Sequence, residues 1–375
     1  MAKHIHFVQS IETAEGGGLG NAAVALSRAI GAVGRPSSVV STGSTQSAED
    51  GAEVYKRIGP KRAFFSWTMS RAVDSLVNDA DIVHGHGFYV ATNWLFGRAA
   101  RHHRRTLVYH PHGMFEPWIL NRSQIKKRIV HFLYEDANFK YASLWRALTG
   151  READQIRAQG IVAPIIVSPN GINVSDYDLV TQIRQARKST GGIRNLLFLG
   201  RLHPKKGLPL LIEAWSQLPG SARSGWRVVI AGPDELGHRA QLQSLIKNYG
   251  LERDFEFIGP VSGTRKLEVL ADSDAFVLPS HSEGFSIAIL EALACRLPVL
   301  ATDACNFPEV STLGGGWCTA SALGPLKVAL GALMRESTDG LSQRGECGRA
   351  LVESRYSWAR IAHEIASASE ELGDK

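Results

Sequence analysis

Three observations predict an α/β protein built of two doubly wound parallel-sheet domains. Short apolar strand-like stretches alternate with helical ones along nearly the whole chain, the pattern of parallel sheets flanked by helices. The alternation breaks once, across the polar stretch 176–193 that ends in Gly191-Gly192, which reads as the tail of a linker. At 375 residues, the chain has room for two to three domains, each with its own core.

In order, the first half offers a strand at His4–Val8, a helix at Asn21–Ala32, and strands at Ser38–Ser41, Ile82–His84 and Leu107–His110. The series resumes with a strand at Leu196–Leu199, a helix at Leu208–Leu218, a strand at Val228–Ala231 and a helix at Arg239–Tyr249. Strands at Phe255–Ile258 and Ala275–Leu278, a helix at Ile287–Cys295 and a strand at Val299–Ala301 follow. The last segment, Trp358–Leu372, is an amphipathic helix. The domains are expected at 1–175 and 176–356, with 357–375 as a closing helix. Doubly wound sheets bind ligands at the carboxyl ends of their strands, so a ligand shared by two such domains is expected in a cleft between them.

Composition narrows the class. With 44% hydrophobic and 21% charged residues, the chain has the balance of a soluble globular protein. No apolar run approaches the 18 or so residues of a membrane span, and the first residues read as a strand rather than a signal peptide. Cys295, Cys305, Cys318 and Cys347 form no CxxC pair, which suits free thiols in a cytoplasmic protein. Charge is uneven: residues 1–180 carry 20 Lys and Arg against 15 Asp and Glu, and 98–128 hold eight basic residues and one acid, Glu116.

The stretch 280–293 is the most informative. A strand runs into a polar turn, then a helix opening near Phe285 is apolar on nearly every face yet carries Glu291. A buried carboxylate needs a partner. Glu283 stands eight positions earlier, with the free N–H groups of the helix start between the two, a ready anion site. About six residues of helix, or roughly 9 Å, separate the helix tip from Glu291. One rigid element could therefore grip a diphosphate, a polyol and a ribose. In Gly200–Gly207, Arg201 ends a strand and Lys206 stands at a helix mouth, two cations suited to a diphosphate.

Together, Glu283-x7-Glu291 with Glu-Gly-Phe and Gly-Arg-x4-Lys-Gly resemble the signature of the retaining glycosyltransferases of family 4, which have the GT-B fold. Ser168-Pro169-Asn170-Gly171-Ile172, Ala231-Gly232-Pro233, Phe257-Ile258-Gly259 and Tyr356-Ser357-Trp358 agree with it. The resemblance implies two Rossmann-like domains facing a cleft, the first for the acceptor and the second for the donor, with the C-terminal helix packing back on the first. It also implies that Arg201 and Lys206 hold the donor diphosphate. Glu283 would bind a sugar hydroxyl, helped by the backbone of Gly284, Phe285 and Ser286, and Glu291 would take the ribose. Gly232 and the stretch around Ile258 would border the phosphates and base.

In the first half, Glu15–Gly20 is expected as a glycine loop before a helix at Asn21, with Gly16, Gly17 and Gly18 bordering donor phosphates and acceptor by resemblance. Gly18-x-Gly20-x-x-Ala23 also matches a dinucleotide fingerprint, but it lies several residues beyond the first strand and lacks the following acid. His112, in His110-Pro111-His112-Gly113, corresponds to the family histidine that faces the donor sugar, and His86 is expected on the acceptor side. His84, His102 and His103 read as satisfied or surface histidines. The HxH pairs lack a third ligand of suitable spacing, so no metal or other cofactor is expected. The basic stretch 98–128, with Ile125, Ile129, Val130 and Leu133 among its charges, reads either as a solvated face or as a surface for an anionic membrane; it lacks a nucleic-acid module.

These readings converge on a metal-independent glycosyltransferase in the cytoplasm or at the inner face of the plasma membrane. It would take a UDP- or GDP-linked sugar to a saccharide or lipid-linked acceptor in exopolysaccharide, capsule or lipopolysaccharide synthesis. A sugar-nucleotide binding scaffold and an NAD(P)-linked oxidoreductase are the alternatives.

Overall fold

A computed structural model describes residues 1–49, 51–59, 64–116, 133, 135–186 and 192–373. The chain divides into two compact units, Met1–Gly171 with Trp358–Lys375, and Ile172–Ser357.

The first unit holds an eight-stranded sheet: β1 (His4–Val8), β2 (Ser37–Gly43), β3 (Ser47–Glu49), β4 (Ala52–Lys56), β5 (Ile82–His86), β6 (Thr106–His110), β7 (Leu144–Ala147) and β8 (Ile165–Val167). Their order is β3-β4-β2-β1-β5-β6-β7-β8, and only β3 is antiparallel to its neighbour. Both faces are covered, so β1, β5 and β6 are buried at every position, as parallel strands are. Strand residues alternate between faces. Ile5, Phe7, Val83, Leu107 and Tyr109 enter a core shared with the helices Trp67–Asn78 and Ala91–His102. The opposite face carries Ile82, Val108 and Leu144, which pack with Ala368 and Leu372 of the helix Trp358–Gly373. That helix also packs along the helix Thr13–Ala32 through Leu26, Ile30, Ile361 and Ile365, so the C-terminal helix does pack on the first unit.

The second unit holds six parallel strands: β9 (Arg194–Leu199), β10 (Trp226–Ala231), β11 (Phe255–Gly259), β12 (Ala275–Leu278), β13 (Val299–Thr302) and β14 (Gly316–Thr319). Their order is β11-β10-β9-β12-β13-β14. The order reverses at β9, so the crevice at its carboxyl end, beside that of β12, is where such a sheet takes a ligand.

Two local expectations change. The glycine stretch is not a loop: the helix begins at Thr13 and carries Gly16, Gly17, Gly18 and Gly20 in its first turns. Glycine is about 1 kcal/mol worse than alanine in a helix, so propensity alone argues for a loop. At Gly20 a Cβ would lie 2.5 Å from the carbonyl oxygen of Ser10, so that turn closes on the chain leaving β1. The polar stretch 176–193 is likewise not simply linker: it contains the helix Asp178–Ala186, anchored by fully buried Val180, while 187–191 lie outside the described residues. Among the described residues, no helix is long and apolar enough to cross a membrane.

Candidate functional site

At the end of β9 the chain enters Gly200–Gly207. The His203 ring accepts from the backbone N–H of Lys205 at 3.1 Å and caps the short turn Pro204–Lys206. Gly207 has φ 69°, and a Cβ there would sit 1.8 Å from the Pro279 carbonyl oxygen; only glycine allows this approach. The backbone N–H of His281 donates to the Lys205 carbonyl at 2.8 Å, joining this turn to the one that leaves β12.

That contact brings Lys206 to Glu283. Lys206 Nζ and the Ser280 hydroxyl both donate to Glu283 Oε1, each at 2.6 Å. The two charged side chains are only 14% and 7% exposed, so their attraction is weakly screened. The Glu283 backbone is clamped as well: its N–H donates to the Ala304 carbonyl at 3.0 Å, and the Asn306 amide donates to its carbonyl at 2.6 Å. Two residues read as contacting different parts of a ligand are thus bonded directly to each other. Arg201 lies outside this cluster. Its exposed guanidinium donates to both oxygens of Glu235, at 3.0 and 2.8 Å, a partner the sequence motif does not contain.

The following helix spans Ile287–Ala294, starting at the residue expected for it and ending one residue earlier. Gly284, Phe285 and Ser286 lead into it, and Ser286, at the N-cap, makes no side-chain cap bond. Ile289 through Ala294 are all buried, as the apolar pattern requires. Glu291 is among them, with partners from two other elements: Tyr177 Oη and Lys266 Nζ donate to its Oε1 at 2.8 and 2.7 Å. This answers the need for a partner, and neither residue was singled out in the sequence. Gly232, with φ 151°, places a would-be Cβ 1.8 Å from the Gly200 carbonyl oxygen, packing the end of β10 on the end of β9. Ile258 is half-buried on β11, at the edge of this sheet.

In the first unit the register of three adjacent strands assembles six histidines on the face beneath the C-terminal helix. His6 stands opposite His84, and His86 opposite His110; their rings stack at 4.2 and 4.3 Å. Hydrogen bonds run diagonally in two files. In one, His4 Nδ1 meets His84 Nε2 at 2.8 Å and His84 Nδ1 meets His110 Nε2 at 3.0 Å. In the other, His6 Nδ1 meets His86 Nε2 at 3.0 Å and His86 Nδ1 meets His112 Nε2 at 2.9 Å.

The second file ends at half-buried His112, just past β6. His112 has φ 53°, a conformation costing about 1–3 kcal/mol. The His86 bond holds its ring, and the next N–H, of Gly113, donates to buried Glu152 Oε1 at 2.6 Å. Burial pulls His4 down to about 4 despite the nearby Glu370 carboxylate. Burial and the neighbouring rings hold His6, His84, His86 and His110 well below the usual imidazole range. Burial and the Arg146 charge hold His112 at about 3. All six are neutral near pH 7.

Arg146, itself fully buried on β7, donates to the carbonyls of Ser168, at 2.8 Å, and of Pro169. Burial lowers it to about 9. It explains the Ser-Pro-Asn-Gly stretch as an arginine clamp. At the end of that stretch, a Cβ on Gly171 would be 2.7 Å from Trp358.

His86, expected on an acceptor surface, is 2% exposed with both ring nitrogens engaged; it stands behind His112 instead. The ring nitrogens of His86, His110 and His112 lie within 4.8 Å of one another. However, the His86 and His110 rings are parallel to within 12°, so their in-plane lone pairs run alongside rather than converge on an ion. A hydrogen-bonded ladder fits them better than a ligand set. Gly18 has open space where a Cβ would be, whereas the side-chain surroundings of Gly16 and Gly17 are outside the description. The dinucleotide reading loses its turn, because Gly18 and Gly20 are helical. Residues 117–128 of the basic stretch, with Ile125, and the adjoining Ile129 and Val130 lie outside the described residues.

Comparison with known proteins follows the same division. Residues 16–176 match the family described as Glycosyltransferase Family 4, and 180–322 the family described as Glycosyl transferases group 1. A GDP-mannose:cellobiosyl-diphosphopolyprenol alpha-mannosyltransferase of Komagataeibacter xylinus is 26% identical over 76% of this chain and 70% of its own. A D-inositol 3-phosphate glycosyltransferase of Actinosynnema mirum is 28% identical over 59% of this chain and 56% of its own. A phosphatidyl-myo-inositol mannosyltransferase of Mycobacterium leprae is 31% identical over 52% and 51%. The match thus spans about half to 70% of these relatives' length. Among solved structures, Anabaena Alr3699/HepE in complex with UDP superposes with a TM-score of 0.78 at 21% identity, covering 98% of this chain and 100% of that one. WaaG, a glycosyltransferase involved in lipopolysaccharide biosynthesis, gives 0.70 at 17% identity over 96% and 99%. The fold is GT-B, and with both halves matched in sequence the chain belongs to the glycosyltransferases of family 4.

Proposed function

We propose that this chain is a retaining glycosyltransferase that moves a sugar from a UDP- or GDP-linked donor to a hydroxyl of a saccharide or lipid-linked acceptor. The polymer under construction would be exopolysaccharide, capsule or lipopolysaccharide. The observation that carries the reading is the Lys206–Glu283–Ser280 cluster at the reversal point of the second sheet, directly before a buried helix whose first N–H groups have no side-chain cap.

Cleavage of the sugar–phosphate bond puts negative charge on the leaving diphosphate. Lys206 keeps two further N–H donors for it, and the helix start adds oriented dipoles. Arg201 joins by exchanging Glu235 for phosphate, to which it offers the same forked geometry. Glu283, with one oxygen already holding Lys206 and Ser280, acts as a positioning group for a sugar hydroxyl rather than as a covalent nucleophile. The donor phosphate then serves as the base in a front-face transfer that retains configuration. Glu291 offers its carboxylate to the ribose, with Gly232 and Ile258 beside phosphate and base. His112 contributes a neutral imidazole to ligand oxygens, and Gly16–Gly18 leave backbone room. Cationic charge comes from side chains, so no metal is required. The UDP-bound fold neighbour and the GDP-mannose relative keep two bases in play. A lipid-linked acceptor would give the basic stretch 98–128 an anionic membrane to meet at the cytoplasmic face.

The test is a thermal-shift panel of UDP, GDP, ADP, TDP and NAD in EDTA. A nucleotide at about 100 times its Kd adds roughly 2.7 kcal/mol to the folded state, or about 5–11 °C for a unit of this size. A shift with one nucleoside diphosphate that disappears in Arg201→Ala is expected. A shift with NAD alone, or none at all, would overturn the reading. The anomeric configuration of the product by NMR tests retention.

A further inference from the structure

We propose that the two histidine files carry fixed and opposite hydrogen-bond polarity, and that His6 and His86 are positioning residues holding His112 as its Nδ1–H tautomer. A neutral imidazole has one N–H and one lone pair. Each bond within a file uses one of each, so the choice at one end sets every ring.

In the His6–His86–His112 file, the terminal His6 Nε2 is buried and meets no partner among the described residues. An N–H left unpaired there is costlier than an unpaired lone pair, since orphaned buried donors are the rarer case. His6 therefore carries its proton on Nδ1 and donates to His86 Nε2. His86 then donates from Nδ1 to His112 Nε2, and the remaining proton of the file sits on His112 Nδ1.

In the His4–His84–His110 file both terminal nitrogens, His4 Nε2 and His110 Nδ1, are buried without a hydrogen-bond partner among the described residues, and the Glu370 carboxylate beside His4 favours the proton at that end. His110 donates from Nε2 to His84, and His84 donates from Nε2 to His4. The His4 Nε2–H is left facing the Glu370 carboxylate, whose Oε1 is 3.8 Å away. Here the nearby anion, rather than a lone orphan, sets the direction of the file.

His112 is then a hydrogen-bond donor, suited to a hydroxyl or phosphoryl oxygen. To accept a proton at Nδ1 it would have to reverse the whole file and strand an N–H at His6. The penalty for a buried unpaired donor corresponds to about 5- to 150-fold in the tautomer ratio. Placing a ligand at His112 rests on the function proposed above; the tautomers do not.

The full chain, 15N-labelled at histidine, would be examined at pH 7.5 by long-range 1H–15N correlation, with rings assigned through single His→Gln variants. His6, His86 and His112 are expected as Nδ1–H, and His4, His84 and His110 as Nε2–H. Nε2–H at all six, or averaged signals, would overturn the proposal. In His86→Phe, His112 should lose its preference by about fivefold or more, and His86→Gln, whose amide can donate, should restore it. An unchanged His112 in His86→Phe would refute the positioning role. Sugar transfer unaffected by His112→Phe, with the 15N pattern intact, would instead remove His112 from the proposed transferase site.

Discussion

Acidification should unfold the first unit selectively. Its five enclosed histidines, His4, His6, His84, His86 and His110, are 0–1% or 2% exposed and neutral in the fold, whereas an unfolded imidazole takes a proton near pH 6.5. A depressed folded-state value means the stability is present above pH 6.5 and is lost as pH falls from there toward about 4, where His4 itself titrates in the fold. Between pH 7.5 and 5.5, each such histidine costs about 1.4 kcal/mol through protonation of the unfolded chain, so five cost roughly 7 kcal/mol. His112 keeps part of its surface in water and is left out.

Two buried carboxyls act in the opposite sense. Burial pushes Glu135 up to about 7, so it regains a proton over the same range and returns about 2 kcal/mol; Glu152, also raised, has the same sign. The net loss is roughly 5 kcal/mol, against a typical domain stability of about 5–15 kcal/mol. The six strands of the second sheet contain no histidine. Hydrogen exchange resolved by segment, at pH 7.5 and 5.5, reads both units at once. β1, β5 and β6 should lose most of their protection, while β9 and β12 change little. A loss of less than about 1.5 kcal/mol in the first unit, equal to one histidine, or an equal loss in both units, would refute the reasoning.

Four further outcomes follow from the packing. Gly207→Ala puts a methyl 1.8 Å from the Pro279 carbonyl at φ 69° and should cost at least about 2 kcal/mol by denaturant melting. Gly18→Ala, with nothing within 4 Å, should leave stability equal or raised by up to about 1 kcal/mol while weakening donor binding in a nucleotide titration. Tyr177→Phe removes one donor to the Glu291 carboxylate and should cost about 1.5–3 kcal/mol, with donor KM raised more than kcat is lowered; an unchanged KM would separate Glu291 from the ribose. Lys206→Met should destabilise by about 3–5 kcal/mol by leaving Glu283 buried without its cation, and Glu283→Gln in the same chain should recover part of that. Lys206→Met should lower kcat more than it raises KM, and a purely KM effect would argue against a role in leaving-group stabilisation.

Strands such as His4–Val8 and Ala275–Leu278 were legible to the residue, because a parallel strand covered on both faces must be apolar along its length. The helix start at Thr13 was not legible, since four glycines within eight residues argue against a helix and only the fit of Gly20 on Ser10 favours one. The partners of Glu291 were hidden for a different reason. Tyr177 and Lys266 lie 114 and 25 positions away in the chain, and neither belongs to a motif of its own. Arg201 was visible, but its pairing with Glu235 depends on how the loops after β9 and β10 meet.

The sequence by itself determined the sheet-forming runs, the family, and the two separate motifs that carry Lys206 and Glu283. Each of these is written in local patterns of apolar residues, glycines and charges whose spacing carries physical meaning. Tertiary structure alone decided the histidine files. His4 and His6, His84 and His86, and His110 and His112 are three unremarkable alternations on separate segments. Only the register of β1, β5 and β6 under the C-terminal helix turns them into a buried, hydrogen-bonded array, because period-two side chains share a face only once their strands are aligned.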